Sequence, residues 1–170
     1  MQLDHHYAVR LRWTGNRGAG TRDYRAYGRD HDIEAVTADA ASIATGAAPI
    51  LGSSDPVFHG DATRWNPEQL LLSALSQCHL LSYLHTAVKH GVVVTAYTDS
   101  AVGTMVQTAD GGGHFTSVTL SPVVTVASAD MVDLAQSLHA EASTRCFIAA
   151  SMNFAVLHEP STRVAEPDAQ

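Results

Sequence analysis

The sequence predicts an α+β protein. Three observations lead there: a β-like N-terminal stretch, one long helix with clear start and stop signals, and a strand, strand, helix, strand run after it.

Residues 6–13 (HYAVRLRW) alternate acceptably for a strand, and TGNRGAGTRD is a glycine-rich turn into a second strand around residues 24–27. HDIEAVTADA fits either a strand or a short helix. Residues 46–64 read as a long loop, and loops of that length tend to be functional or mobile.

The long helix opens at NPEQLLLSALSQC. Asn66 is a good N-cap, Pro67 suits the first helical position, and Gln69 occupies the capping-box site. Glu68 in the first turn favours the helix dipole. Leu71, Ala74, Leu75, Cys78, Leu81 and Ser82 form an apolar stripe at helical spacing. Lys89 and His90 precede Gly91, a standard stop. Beyond it VVVTAYTDSAVGTMV reads as a strand, GGGH as a turn, and FTSVTLSPVVTVA as a second strand kinked at Pro122. A second helix is expected from Ala129 or Asp130 to near Cys146, with Met131, Leu134, Leu138 and Ala142 on one face. MNFAVLHE is the last strand, and the hairpin strands should pair antiparallel.

The chain has 170 residues, enough for one domain with a real core. That domain is placed at residues 1–160, with 161–170 as a loose polar tail. Only 16% of residues are charged, below the usual quarter, which argues for a surface covered by a second copy. A net charge of −7 without a basic cluster speaks against nucleic-acid binding. No apolar run is long enough to span a membrane, and the start lacks a secretory plan. The expected location is the cytoplasm, where thiols stay reduced.

Cys78 and Cys146 are the two cysteines, so in that compartment they are free, metal-binding or redox-active. A cysteine in an apolar stripe is commonly a small core residue. Small neighbours (Ser73, Ala74, Ser76) leave room around Cys78, and Cys146 follows the polar EASTR. Spacing alone does not show that the two meet; two thiols that did meet would make a peroxidatic and resolving couple. The 10 histidines include no CxxC or HExxH context, and His79, His85 and His90 miss the four-residue step that aligns two ligands. They read as surface or supporting residues, and neither a metal nor another cofactor is expected. NRGAG lacks a dinucleotide fingerprint, and no GxSxG elbow occurs.

NPEQLLLSALSQC resembles the helix signature of the OsmC/Ohr family, the osmotically inducible and organic hydroperoxide resistance proteins. WTGNRGAGT is similar to that family's arginine-bearing turn, and Cys146, between a helix and the last strand, matches its second cysteine. The resemblance spans roughly residues 7–159. CFIAASMNF lacks the Cys-Pro of characterised peroxidases and is more like the OsmC-like branch. The resemblance implies an OsmC-like intertwined homodimer: an N-terminal β-meander, then helix, two strands, helix and strand, with sites at the interface. It implies Cys78 as peroxidatic thiolate and Cys146 as resolving partner. Arg17, or alternatively Arg22, would activate the thiol, with Glu68 orienting the arginine. The implied activity is reduction of organic hydroperoxides through a sulfenic acid and a Cys78–Cys146 disulfide, with a dithiol reductant of lipoyl type. A redox-sensing or ligand-binding dimer with little turnover is the alternative, and a structural dimer with inert thiols a further one.

That assignment is chemically coherent, because a thiolate attacks the O–O bond and a guanidinium stabilises it. Leu71, Leu75, Phe147 and Phe154 would give an apolar lining suited to alkyl peroxides. Glu68 and Cys78 lie ten residues apart on one helix, about 15 Å along its axis. Unless the helix bends, Glu68 is expected to serve the site of the partner subunit.

Overall fold

The structure, a computed structural model, describes residues 3–39, 42 and 46–165. The chain divides into two compact units, Met1–Leu70 and Leu71–Gln170.

In the first unit, β1 (Ala8–Trp13), β2 (His31–Val36) and β3 (Ile50–Gly52) form an antiparallel sheet in that order. HDIEAV is therefore a strand. The stretch around Tyr24–Tyr27, predicted as a strand, is a sequence of turns. Arg29 explains the difference: its guanidinium donates to the carbonyls of Tyr27 and Tyr24, both at 2.7 Å. It also lies 4.4 and 4.3 Å from the centres of the Tyr24 and Tyr27 rings. Those side chains wrap a local cation instead of pairing with a neighbouring strand. The long loop carries β3 and a short 3-10 turn at Pro56–Phe58.

Helix α1 (Pro67–Lys89) begins as the sequence predicts. Gln69 N–H donates to Asn66 Oδ1 at 2.8 Å, and Asn66 N–H to Gln69 Oε1 at 3.2 Å. It ends at Gly91, whose φ of 71° is left-handed, with Val92 N–H returning to the Ala87 carbonyl. The buried line is Leu75, His79, Tyr83, Thr86 and Ala87, with Leu81 63% exposed. The core face is thus turned by about one residue from the aliphatic stripe. Imidazole and phenol rings bury as apolar bodies with a polar tip, which a purely aliphatic pattern overlooks.

Each long strand predicted after α1 is two strands: β4 (Val94–Asp99) and β5 (Val102–Gln107), then β6 (Gly113–Leu120) and β7 (Pro122–Val126). The breaks fall opposite each other, where Asp99 accepts from Ser121 N–H at 2.8 Å and from the Ser76 hydroxyl at 2.6 Å. Two sheets result, ordered β4-β7-β9 and β5-β6-β8, with antiparallel β4/β7 and β5/β6 pairs. A 3-10 turn at Ala129–Met131 leads into α2 (Val132–Thr144), followed by the short α3 (Phe147–Ala150) and β8 (Ala155–His158). Ala135, Leu138, His139 and Ala142 are buried on α2; Leu134, expected on that face, is 42% exposed.

Where the sequence predicts a loose tail, Ser161–Val164 form β9, parallel to β7. Gln136 of α2 is the clamp: its side-chain amide donates to the Pro160 carbonyl at 2.8 Å and accepts from the Thr162 hydroxyl at 2.7 Å. The rest of that expected tail, residues 166–170, lies outside the described residues.

Two apolar clusters fill this second unit. One gathers Tyr83, Val124, Val126 and Leu138; the other gathers Leu75, Val118 and Leu120, backed by Leu71, Phe115, Ile148 and Phe154.

Candidate active site

Cys78 lies mid-way along α1 and is partly accessible; Cys146 is 1% exposed and caps the start of α3. Both are free thiols, and Cys78 is close enough to act on the ionisation of Cys146. That proximity has a local cause. Ser82 Oγ donates to the Arg145 carbonyl at 3.3 Å, tying α1 to the residue before Cys146. Glu141 of α2 adds a second tie, accepting from Arg145 at 2.8 Å and pairing with His90 at 2.9 Å.

The two sulfurs differ electrostatically. Burial raises the Cys146 pKa to about 11, the neighbouring Cys78 adds to the rise, and the Ala149 and Ile148 N–H groups only partly offset it. Cys146 is therefore a thiol at neutral pH. Ala149 N–H donates to Cys146 Sγ at 3.5 Å, which fixes the side chain.

The apolar wall beside this pair is only partly the predicted one. Leu71, Leu75 and Phe154 belong to the second apolar cluster, whereas Phe147 is 79% exposed. As the first residue of a four-residue helix, Phe147 turns away from the face on which Ile148 and Ala149 pack.

Arg17 and Glu68 belong to the first unit. Arg17 is exposed and sits over Gly28, where an added methyl carbon would stand 3.4 Å from the guanidinium. Its turn is stiff: Asn16 Oδ1 accepts from Gly18 and Gly20 N–H at 2.9 and 3.1 Å, and Gly28 N–H donates to the Gly15 carbonyl at 2.8 Å. Trp13 closes the loop with a 2.8 Å bond to the Gly28 carbonyl. Glu68 stands in the first turn of α1, and its Oε2 is buried without a hydrogen-bond partner among the described residues. Arg17 forms no ion pair with a described residue. α1 is one uninterrupted helix, so ten residues of helix separate Glu68 from Cys78. A shallow pocket of about 210 Å³, lined by Ala62, Thr63, Arg64, Trp65 and Gln69, opens at the start of this helix.

Sequence reasoning missed three histidines that fold together: His79, His139 and His158. They are 60 and 79 positions apart along the chain from His79, too far for any local motif. The usable signal was the four-residue step from His79 to Tyr83 along the helix. Among the described residues no group of three or more His, Cys, Asp or Glu side chains is arranged to hold a metal ion.

The fold is α+β, with one buried and one partly accessible free thiol. The family model described as OsmC-like protein matches residues 59–160, and the chain belongs to that family. An OsmC-like protein of unknown function from Vibrio cholerae is 28% identical, with a TM-score of 0.78 over 92% of this chain and 99% of that one. An organic hydroperoxide resistance protein from Elizabethkingia anophelis is 14% identical, with a TM-score of 0.64 over 97% of this chain and 100% of that one. The organic hydroperoxide resistance protein OhrB of Bacillus subtilis is 17% identical, with a TM-score of 0.57 over 93% and 98%. These two share the fold. No curated protein matches the sequence significantly.

Proposed function

We propose that this protein is a cysteine-based peroxidase that reduces organic hydroperoxides. The observation that carries the reading is a partly accessible Cys78 acting on the ionisation of a buried, protonated Cys146. The Cys78 thiolate attacks the distal peroxide oxygen, the O–O bond breaks, and the alkoxide leaves as an alcohol after taking a proton from water. Cys78 is now a sulfenic acid, oxidised by two electrons. Cys146 attacks that sulfur, the S–O bond breaks, and water leaves as the disulfide forms. A small-molecule or lipoyl-type dithiol returns two electrons and two protons.

Arg17 is the activating cation, chosen over Arg22 for its place in the Asn16-braced turn. Glu68 orients it across a homodimer: a buried carboxylate oxygen lacking a partner among the described residues calls for a donor from a second copy. Exposed apolar side chains favour the same assembly. Val9 and Leu11 on β1 are 70% and 60% exposed, as is Val88 on α1 at 77%. The proposed location is the cytoplasm, where reduced dithiols are available. No described helix is long and apolar enough to cross a membrane.

Steady-state consumption of cumene hydroperoxide with dihydrolipoamide tests the reading. Turnover lost in Cys78→Ser supports it. A protein that forms the disulfide once but does not turn over is a sensor instead.

A further inference from the structure

Beyond the two thiols, the second unit holds a layer of three imidazoles from three elements, His79 on α1, His139 on α2 and His158 on β8, the last two at the edge of a pocket of about 290 Å³. His79 Nε2 and His139 Nδ1 share a hydrogen bond at 3.0 Å. The rings of His79 and His158 are centred 4.4 Å apart, and Tyr83 stacks on His139 at 4.1 Å. His79 and His139 are 0% and 2% exposed. His79 Nδ1, His139 Nε2 and His158 Nε2 are each buried without a hydrogen-bond partner among the described residues.

Such a layer is stable in one charge state. Two neutral imidazoles share one N–H across the 3.0 Å bond, with one proton on each ring. An added proton would place a charge and a further unanswered N–H in the interior. The groups facing the layer offer little relief. Tyr83 of α1 presents a ring face to His139 and donates its hydroxyl to the Ala135 carbonyl. Tyr97 of β4 lies beyond Tyr83, and burial holds both phenols in the neutral form. Asp99 of β4 acts on His158 but is already held by Ser76 and Ser121.

The layer is also next to the redox pair in the chain. Cys78 immediately precedes His79, and α2, which carries His139, ends at Thr144, two residues before Cys146. What holds α1 against α2 therefore also holds the two sulfurs in register. We propose that the His79–His139–His158 layer is an acid-sensitive latch, keeping the two thiols paired only while all three rings are neutral. The latch concerns thiol geometry and stands whether or not the protein reduces peroxides.

The direction follows from burial, which lowers the pKa of His79 to about 3 and of His139 to about 4. Burial lowers that of His158 too, with Asp99 pulling the other way. An open or unfolded chain takes up these protons near pH ~6.5. The latch is thus at full strength above that pH and weakens progressively as pH falls below it, because only the open form can bind the protons.

The test equilibrates the full chain with reduced and oxidised dithiothreitol between pH 7 and 4.5, quantifies the Cys78–Cys146 disulfide, and follows urea unfolding in parallel. The wild type should lose at least about tenfold in the disulfide equilibrium over that range. Its unfolding constant should rise by more than about tenfold per pH unit, the mark of more than one proton taken up. His139→Gln and His158→Asn should each remove about one proton from that slope and flatten the disulfide profile. An unchanged wild-type disulfide equilibrium, or variants that keep the wild-type slopes, would overturn the proposal. Imidazole NMR of the wild type decides the matter if the variants do not fold. Three rings that stay neutral below the ordinary value and take up protons only as the disulfide equilibrium falls are expected, and titration of all 10 near the ordinary value would overturn it.

Discussion

The Cys146 thiol is buried near Cys78, and burial first and Cys78 second push its ionisation up to about 11. A proton held on one sulfur beside a more accessible second sulfur divides the labour of a dithiol site. The first stays a donor and a resolving group, and the second meets the oxidant. With Cys146→Ser, one equivalent of cumene hydroperoxide should leave a long-lived Cys78 sulfenic acid that dimedone traps. Mass spectrometry should find no adduct in Cys78→Ser.

Alkylation measures the same asymmetry from the other side. Burial is the main cause of the raised Cys146 pKa, so it should persist in Cys78→Ser. Only the thiolate reacts, so its iodoacetamide rate should climb about tenfold per pH unit up to at least pH ~10. A plateau near pH ~8.5, the value of a free thiol, would show that the interior does not hold the proton.

The Arg17 turn can be disturbed without touching the arginine. A methyl group at Gly15 would stand 2.0 Å from the Gly28 carbonyl oxygen, and backbone cannot yield as a side chain does. Gly15→Ala should therefore displace the loop on which Arg17 rides. If Arg17 activates the thiol, kcat/KM for an alkyl hydroperoxide should fall on the order of a hundredfold. Circular dichroism should show the helices intact.

Packing around the pair sets its stability. Leu75 is fully buried in the cluster that also takes up Ile148 and Ala149 of α3. Leu75→Ala should cost about 3 kcal/mol in urea unfolding. Tyr83→Phe, which removes only the 3.0 Å bond to the Ala135 carbonyl, should cost about 1 kcal/mol.

The sequence was most readable where the physics is local. Asn66, Gln69 and Gly91 mark both ends of α1 because capping depends on residues within one turn. Cys78, Cys146, Arg17 and Glu68 could be picked out together only through the family resemblance, since their spacing carries no geometry. Features closed by distant partners stayed hidden. Strand β9 depends on Gln136, and the break at Ser121 on Asp99. The histidine layer joins positions from three elements, and its members look like ordinary polar residues until the core closes around them.

One measurement bears most directly on the thiol pair. Reduced protein is mixed with one equivalent of cumene hydroperoxide, quenched with acid over time, and mapped by peptide mass spectrometry without reduction. A Cys78–Cys146 disulfide formed within the chain, appearing as the peroxide disappears and reversed by dihydrolipoamide, is the predicted result. Peroxide that persists beside two unmodified thiols would contradict it.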